Sequence, residues 1–379
     1  MRPTIFLSLT LIVLLQACQS EPEEKLLDEQ AYIDFGKMIE TAFNEGDAET
    51  FHKNFDADHF TDLALKDFGY SLDDAEIKRG AKEDLASFGK EIVRAVKADD
   101  GLYSFIRYYE KDNRAHLIFR LYGLEGLNYH DYELSTVDGE IRIVDLYIFL
   151  SGESISKTMG RLFGLLFNKE ESSVFSRSID DENFQAFQKL TEIKSKLNLF
   201  DYIGAYNLFE ELPDELKKEK MGHILNMQIL VNMDKEDEYK AAINNYRRNF
   251  PDDPSLDLVL IDYYTIKEDW DKLIQSIDNL DKSVGGDELL EAYRGYAMLG
   301  AEQYEEAQMK FENIADDFPK IEEFQFALLT TLLFNEQYDR VIKQAEVMKR
   351  ELELTNNDFD FTDFPEFLES DVYRNWQGE

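Results

Sequence analysis

Cysteine is almost absent from this chain, and basic residues are scarce. Cys18 is the single cysteine among 379 residues, so no internal disulfide can form and stability must come from packed apolar cores. Lys and Arg number 41 against 79 Asp and Glu, which gives a formal net charge of −38. Such a surface repels nucleic-acid phosphates and anionic lipid headgroups, so neither nucleic acid nor an anionic lipid surface is an expected partner. A basic protein or divalent cations could be attracted, although the charge can also serve solubility alone.

The chain begins with an apolar run that is too short to cross a membrane. Residues 5–15 form part of a stretch of about 12 apolar-rich residues, whereas a spanning helix needs about 20. The run closes with the tetrapeptide LQAC at Cys18, which resembles the lipobox of bacterial lipoprotein signal peptides. The resemblance implies that residues 1–17 are removed and that Cys18 carries the lipid. An uncleaved anchor or a buried N-terminal helix is the alternative.

The residues after Cys18 bear on the location. Gln19, and not Asp, follows the cysteine; by analogy with enterobacterial sorting this favours the outer membrane. The acidic residues 20–24 resemble surface-export signals of some Gram-negative lineages, or they form part of a solvated tether over residues 18–27. We therefore expect a lipid-anchored protein of the cell envelope, on its periplasmic or its surface side.

A recurring pair of residues indicates helical repeats over residues 182–355. An aromatic residue is followed three positions later by a small or aliphatic one. The five pairs are Tyr202/Ala205, Tyr239/Ala242, Trp270/Leu273, Tyr304/Ala307 and Tyr338/Val341. The first interval between pairs is longer than the last two, which are equal, and the second is shorter. Residues seven positions after each aromatic are expected to face inward: Phe209, Tyr246, Ile277, Phe311 and Ala345.

This pattern resembles the tetratricopeptide repeat, a helix-turn-helix unit with a period of about 34 residues. The resemblance implies about five stacked hairpins with a groove that binds segments of other proteins. An irregular helix bundle is the alternative. The aromatic residues in 356–379 predict a segment that caps the last repeat, with a partner-binding tail as the alternative. His223 is isolated and is not predicted to be a ligand.

Residues 28–167 have the pattern of a separate α+β domain. Helices are predicted over 29–43, 74–96 and 154–167, and a polar linker over 168–181. Four strands are predicted over 102–109, 115–122, 129–137 and 141–150. The fold class is thus helices on a curved antiparallel four-stranded sheet, followed by an all-α helical-hairpin solenoid. The order of elements resembles the cone-shaped fold of SnoaL-like and nuclear-transport-factor-like proteins, which often encloses a pocket.

A polar pocket floor is predicted in the last hairpin of that sheet. Pairing about the Asp138-Gly139 turn sets Tyr132 opposite Asp145 and His130 opposite Tyr147 on one face. The four residues could line a pocket in which His130 and Asp145 transfer a proton; a satisfied polar pair at the sheet rim is the alternative.

Three other histidines are weaker candidates for site residues. Tyr109 and His116 are expected to face each other in the first hairpin, either as part of a functional pocket or as a satisfied polar pair at the rim of the sheet. His52 and His59 are predicted to lie in a loop, and their spacing does not indicate a metal site. No metal and no cofactor are predicted.

The favoured function is a membrane-anchored scaffold or assembly factor that binds envelope proteins in the repeat groove. The alternative is a small-ligand receptor or an enzyme with proton-transfer or hydrolytic chemistry in the N-terminal pocket. Glycan capture at the cell surface is a third hypothesis. It is disfavoured because helical-repeat lipoproteins of that kind carry their repeats near the N-terminus.

Overall fold

The computed structural model describes residues 26–66, 75–98, 101–123, 126–166, 181–233, 235–251 and 253–378. The predicted signal peptide, Cys18 and nearly all of the predicted tether and linker lie outside these residues. Within the described ranges, no helix combines the length and the hydropathy that crossing a membrane requires.

The N-terminal part contains five helices in the described ranges. They are α1 (Glu29–Glu45), α2 (Ala48–Asn54), α3 (Ala57–Lys66), α4 (Ala75–Lys97) and α5 (Ile155–Leu166). Asp28 caps α1 by accepting a hydrogen bond from the Gln30 amide at 2.9 Å, and Gly46 ends it in the left-handed region, with φ of 88°.

The predicted loop around two histidines is wrong. His52 lies in α2 and His59 in α3. The carboxylate of Asp47 caps α2, and each helix buries one phenylalanine completely, Phe51 in α2 and Phe60 in α3. Short helices with a buried aromatic residue thus replace the loop because burial offsets the cost of ordering them.

The sheet is an antiparallel meander of the predicted four strands with a short fifth strand at its edge. Its strands are β1 (Leu102–Lys111), β2 (Arg114–Gly123), β3 (Gly126–Val137), β4 (Glu140–Ile148) and β5 (Glu153–Ser154), in that spatial order. The predicted two-residue turns are confirmed: Asp112 and Asn113 have φ of 50° and 66°, and Asp138 and Gly139 have φ of 53° and 82°. Two successive residues at positive φ are typical of the hairpin turn whose twist matches that of the strands.

The predicted pairing in the last hairpin is wrong by one residue. Pairing follows the turn as far as Leu134 and Ile143, and then Glu133 pairs with Asp145, so that Val144 forms a bulge. As a result Tyr132 lies opposite Leu146, and His130 lies opposite Ile148. An extra residue moves every later side chain of the strand to the other face.

The helical part is a solenoid of five hairpins, which confirms the predicted fold class. The hairpins are α6 (Asp181–Asn198) with α7 (Tyr202–Glu210), α9 (Lys220–Leu230) with α10 (Glu236–Asn249), α11 (Ser255–Ile266) with α12 (Trp270–Val284), α13 (Leu290–Gly300) with α14 (Tyr304–Asp317), and α15 (Glu322–Phe334) with α16 (Tyr338–Glu351); the short α8 (Asp214–Lys218) precedes α9. The second helices begin at Tyr202, Glu236, Trp270, Tyr304 and Tyr338. The interval between these starts is constant and equals the length of about 34 residues that is typical of this repeat.

The constant interval concerns the second hairpin in particular, because its second helix begins before Tyr239, the aromatic residue from which the sequence predicts its start. Its second helix begins at Glu236. Tyr239 therefore takes the position that a small or aliphatic residue holds in the other hairpins, namely Ala205, Leu273, Ala307 and Val341. All five residues at that position are at most 2% exposed.

The predicted pair Tyr239/Ala242 is thus wrong in its alignment. Glu236 and Tyr239 hold the two positions of the pair, and Ala242 lies three positions later, where it is still buried at 5% exposure. The residue seven positions after Glu236 is Ile243, which is 5% exposed, and the predicted inward residue Tyr246 is buried as well, at 0% exposure. The unequal first and second intervals between the predicted pairs follow from this shift, because an aromatic residue stands three positions after the one that begins the helix.

The C-terminal segment packs on the last hairpin. After a 3₁₀ turn (Asn356–Asp358), it forms α17 (Pro365–Leu368) and α18 (Asp371–Gln377). The ring of Phe367, which is fully buried, lies 5.3 Å from that of Tyr338, and the Trp376 indole N–H donates to Glu346 at 2.6 Å. The segment thus covers apolar surface that a further repeat would otherwise cover.

Both faces of the sheet are covered. The helices of the N-terminal part pack on one face, whereas Ile118, Tyr129 and Phe149 on the other face join the apolar cluster of the solenoid. Arg120 of β2 donates a hydrogen bond to Asp287, which begins the fourth hairpin, and the two side chains are 2% and 0% exposed. An ion pair buried to this degree fixes the sheet against the repeats.

Candidate functional site: a groove across the hairpins

An open groove of about 780 Å³ crosses the second to fifth hairpins. Its walls come from the first helices of these hairpins and from the residues that begin the second helices of the third and fourth hairpins. It is lined by Val231, Asn232, Ile261, Asp262, Thr265, Ile266, Trp270, Leu273, Tyr293, Tyr296, Leu299, Gly300, Glu302, Tyr304 and Phe334. Most of this lining is apolar or aromatic, as in sites that bind side chains of a partner.

The repeat places equivalent residues along the groove. Asn232, Ile266, Gly300 and Phe334 hold the same position at the end of the first helix in successive hairpins. At Gly300 a Cβ atom would lie 2.4 Å from the indole of Trp270, so only glycine lets that ring lie against the helix. One hairpin further on, the rings of Tyr304 and Phe334 stack at 4.2 Å with an angle of 4° between their planes. In both of these hairpins, the aromatic residue that begins the second helix contacts the next hairpin.

The groove carries negative charge without a cation to balance it. Asp262 projects from α11 into the open groove, and its carboxylate has no hydrogen bond or ion pair within the described part of the chain. Asp262 is exposed to solvent in the groove, and the surrounding walls nevertheless raise the pKa of its carboxyl group by removing part of its hydration. Glu302 adds a second carboxylate at the rim. A ligand that combines an apolar side chain with a positive charge matches this lining.

The predicted N-terminal pocket residues are divided between the two faces of the sheet. His130 and Tyr132 point to the helices, where the Tyr103 hydroxyl lies 3.0 Å from the Nδ1 atom of His130 and 2.6 Å from the Tyr132 hydroxyl. Asp145 and Tyr147 lie on the opposite face because of the bulge at Val144. The structure therefore does not bring His130 and Asp145 together.

His130 has both ring nitrogens engaged. The side-chain oxygen of Asn128 accepts the amides of Tyr129 and Leu150, at 2.9 and 3.0 Å, which turns its amide nitrogen toward the Nε2 atom of His130 at 3.3 Å. Nε2 must then accept, so Nδ1 carries the proton and donates to Tyr103. Burial lowers the pKa of His130 to about 3, so the ring is neutral at pH 7.

Asp145 and Tyr147 have structural partners. Asp145 accepts hydrogen bonds from the amide and the hydroxyl of Ser156 in the first turn of α5, where a carboxylate caps a helix. The Tyr147 hydroxyl lies 2.8 Å from Asp253 and from Ser255, at the start of the third hairpin. Both residues thus hold helices in place.

A polar cluster lies at the rim of the same sheet face. Tyr109 and His116 are paired across β1 and β2, and both bind Asp131, with His116 Nδ1 at 3.0 Å from the carboxylate. The sequence does not single out Asp131, since it lies on the third strand. Within the described ranges, no group of three or more His, Cys, Asp or Glu residues could hold a metal ion.

The aromatic residues Trp270 and Tyr304 of the groove are evident in the sequence, whereas Asp262 and Gly300 were missed. The available signal was the constant interval between the hairpins. It aligns Gly300 with Asn232, Ile266 and Phe334, so that Gly300 stands out as the one position without a side chain. Asp262 aligns with Gln228, Tyr296 and Thr330 and does not stand out.

No known protein family matches the sequence, and neither does any curated protein. Among solved structures the chain is similar to MamA. A structure of MamA MSR-1 has a TM-score of 0.36 and 13% identity and covers 45% of this chain and 98% of its own. For a MamA mutant the TM-score is 0.34 with 16% identity, over 46% of this chain and 100% of that one. At this degree of superposition nothing about function follows from the likeness.

Proposed function

We propose that this protein is a lipid-anchored scaffold whose groove binds a segment of a partner protein. The segment would place an apolar side chain against Trp270 and Tyr304 and a Lys or Arg beside Asp262. The observation that carries the proposal is the carboxylate of Asp262, which is exposed among aromatic walls and has no hydrogen-bond or ion-pair partner within the described residues, so that a basic side chain of a ligand can pair with it.

The negative charge of the whole chain supports the same class of partner. Its formal charge of −38 attracts basic proteins and raises their rate of association. Two lysines that adjoin lining residues in the sequence are already paired: Lys272 binds Asp269, and Lys267 lies 3.4 Å from Glu236. The groove therefore keeps its net negative charge, and an acidic segment would be repelled.

The proposed location is the cell envelope, with the lipid on Cys18 and a short tether before α1. The groove belongs to the hairpins farthest from that anchor in the sequence. A scaffold of this design would bring its partner to the membrane surface and raise the local concentration of the partner there.

A photo-crosslinker placed in the groove tests this function. Thr265 is exposed in the groove, and Gln275 is exposed on α12 outside it; each is replaced in turn by a photo-reactive phenylalanine analogue. We expect adducts from position 265 in intact cells, with the crosslinked peptide containing Lys or Arg next to an apolar residue. Equal adducts from both positions, or crosslinked peptides without basic residues, would contradict the proposal.

A further inference from the structure

The turn between α6 and α7 exposes three large apolar side chains. Leu199, Phe200 and Ile203, here termed the apolar turn, are 73%, 77% and 68% exposed. Single exposed apolar residues are common on protein surfaces, whereas neighbouring large ones commonly mark a place where another molecule binds.

The fold does not require apolar residues at this turn. Phe200 has φ of 58°, and three later hairpins have glutamate at the same position in the same left-handed conformation: Glu268, Glu302 and Glu336. Ile203 is the second residue of α7. The second residue of the other four second helices is acidic: Asp237, Asp271, Glu305 and Asp339. An acidic side chain in the first turn stabilises a helix, so α7 lacks that stabilisation and exposes an isoleucine instead.

The apolar turn lies on the edge of the solenoid that carries the groove. Glu302, which holds the position of Phe200 in the fourth hairpin, lines the groove. The first hairpin also contacts the turn of the second: the Lys235 ammonium lies 3.9 Å from the centre of the Tyr206 ring, and the Tyr206 hydroxyl donates to Glu238 at 3.2 Å. The apolar turn therefore continues the row of turns along the groove, next to the end of the groove at the second hairpin.

The charge along this edge changes at the first hairpin. At the positions of Phe200 and Ile203, the other four hairpins have Asp or Glu. The charges nearest to the apolar turn offset each other, since Lys196 pairs with Asp201 at 2.8 Å and Lys189 pairs with Glu211 at 2.9 Å. A ligand that follows the edge thus meets carboxylates along the groove and an apolar, neutral surface beyond it.

We infer that the apolar turn binds a second, apolar anchor of the same partner segment that pairs with Asp262. The inference rests on the proposed function of the groove and extends the binding surface to the first hairpin. Continuity with the groove and the change of charge along the edge support this occupant, because a segment with a basic part and an apolar part complements both.

The spacing of the two anchors follows from the repeat. The apolar turn belongs to the first hairpin and Asp262 to the third. Helices in contact pack about 8–10 Å apart, which places the two sites roughly 16–20 Å apart. An extended segment spans that distance with about five or six residues. The partner segment therefore has a Lys or Arg beside an apolar residue, and large apolar residues about six positions away.

Peptides with one or both anchors test the inference. The short peptide carries Leu flanked by Arg, and two long peptides add Phe and Leu about six residues away, one on the N-terminal and one on the C-terminal side, through a Ser-Gly spacer. Binding is followed by the emission of Trp270 in the Trp376→Phe protein. We expect one of the two long peptides to bind at least about tenfold more tightly than the short one, as burial of a large apolar side chain predicts.

Phe200→Glu is expected to remove this gain without weakening the binding of the short peptide. Glutamate forms the same turn in three other hairpins, so the variant should fold. Met309→Glu is the matched control, because it places the same charge on an exposed residue of α14 outside the groove, and it should retain the gain.

The outcomes separate the inference from the proposed function. Equal binding of the long and short peptides, a gain that survives Phe200→Glu, or an equal loss in Met309→Glu would overturn the inference and leave the groove as the binding site. Absence of binding by all three peptides would refute the proposed function, and the inference with it.

A photo-reactive phenylalanine analogue at position 200 tests the same contact in intact cells, because it changes the native ring little. We expect this probe and the probe at Thr265 to crosslink the same partner protein, at residues fewer than about ten positions apart. Adducts of position 200 with a lipid, with a second copy of this chain, or with a protein that position 265 does not reach would each overturn the inference.

Discussion

Asp253 and Asp287 hold the same position in the third and fourth hairpins and make the same two contacts. Each carboxylate accepts the backbone amide two residues later, at 2.9 and 3.0 Å, and so closes the turn in which the first helix of its hairpin starts. Each also accepts a hydrogen bond from a tyrosine of the sheet, Tyr147 at 2.8 Å and Tyr129 at 2.6 Å. The sheet thus binds an aspartate that recurs at the same position of two successive hairpins, and these two contacts join the N-terminal part to the solenoid.

Asp287→Asn is expected to destabilise the protein strongly. Removing one charge of the buried pair leaves the Arg120 guanidinium without a counter-charge, at a cost of about 3–5 kcal/mol. Guanidinium-chloride unfolding would measure this loss, with Asp262→Asn as the matched control. Partial burial raises the pKa of Asp262, so the control should leave stability unchanged or increase it. Similar losses in the two variants would show that the ion pair between Arg120 and Asp287 contributes no more to the free energy of unfolding than an unpaired carboxylate does.

His130 is expected to make stability depend on pH. Burial lowers its pKa from 6.5 to about 3 in the folded chain, so below pH 6.5 the unfolded state binds a proton that the folded state does not. Stability is therefore full above pH 6.5 and falls as the pH decreases toward about 3, by about 2–3 kcal/mol at about pH 4.5. His130→Asn should flatten this slope in denaturant titrations at several pH values. An unchanged slope would refute the assignment of the pH dependence to His130.

Gly300→Leu is expected to fill the groove. Because a Cβ at this position would lie 2.4 Å from the Trp270 ring, the indole must move away, at a cost of about 1–3 kcal/mol. The emission of Trp270 should shift toward that of a solvent-exposed indole, and groove ligands should bind more weakly. The emission is best recorded in a Trp376→Phe background, since these are the two tryptophans of the chain. Unchanged emission together with unchanged binding would count against the described groove.

Cys18→Ser is expected to change the location of the protein and not its fold. Without the acyl chains, the protein should leave the membrane fraction of lysed cells and retain the thermal midpoint of the wild type. Fractionation at high salt would make the comparison, since salt weakens the electrostatic part of any remaining contact with lipid. Persistence of the variant in the membrane fraction at high salt would contradict the proposed anchor.

The sequence predicts the order of elements and the repeat, because hydrophobic periodicity and turn residues are local signals. It fails where one residue decides the outcome. The Val144 bulge cannot be inferred from alternation, since apolar residues on both sides of it suit either register. In the second hairpin, the pair Tyr239 and Ala242 matches the expected pattern and therefore predicts the wrong start of the helix. The true start, Glu236, is an acidic residue, and its residue type does not indicate burial.

The candidate site can be predicted from the sequence only in part, for a different reason. Trp270 and Tyr304 stand out as aromatic residues at a constant interval, whereas Asp262 is one of 79 acidic residues and acquires significance only from its surroundings. The docking of the sheet on Asp253 and Asp287 likewise depends on contacts between residues that are distant in the sequence, as with Tyr147 and Asp253.

The most direct test of the account is a titration of Trp270 fluorescence in the Trp376→Phe protein. The ligands are a pool of short peptides in which Leu or Phe is flanked by Arg, and a matched pool with Glu in place of Arg. We expect the Arg pool to change the emission saturably, the Glu pool to have no effect, and Asp262→Asn to weaken binding about tenfold, as the loss of one charge-assisted contact predicts. Equal responses to the two pools, or Arg-pool binding that Asp262→Asn leaves unchanged, would contradict the proposed function.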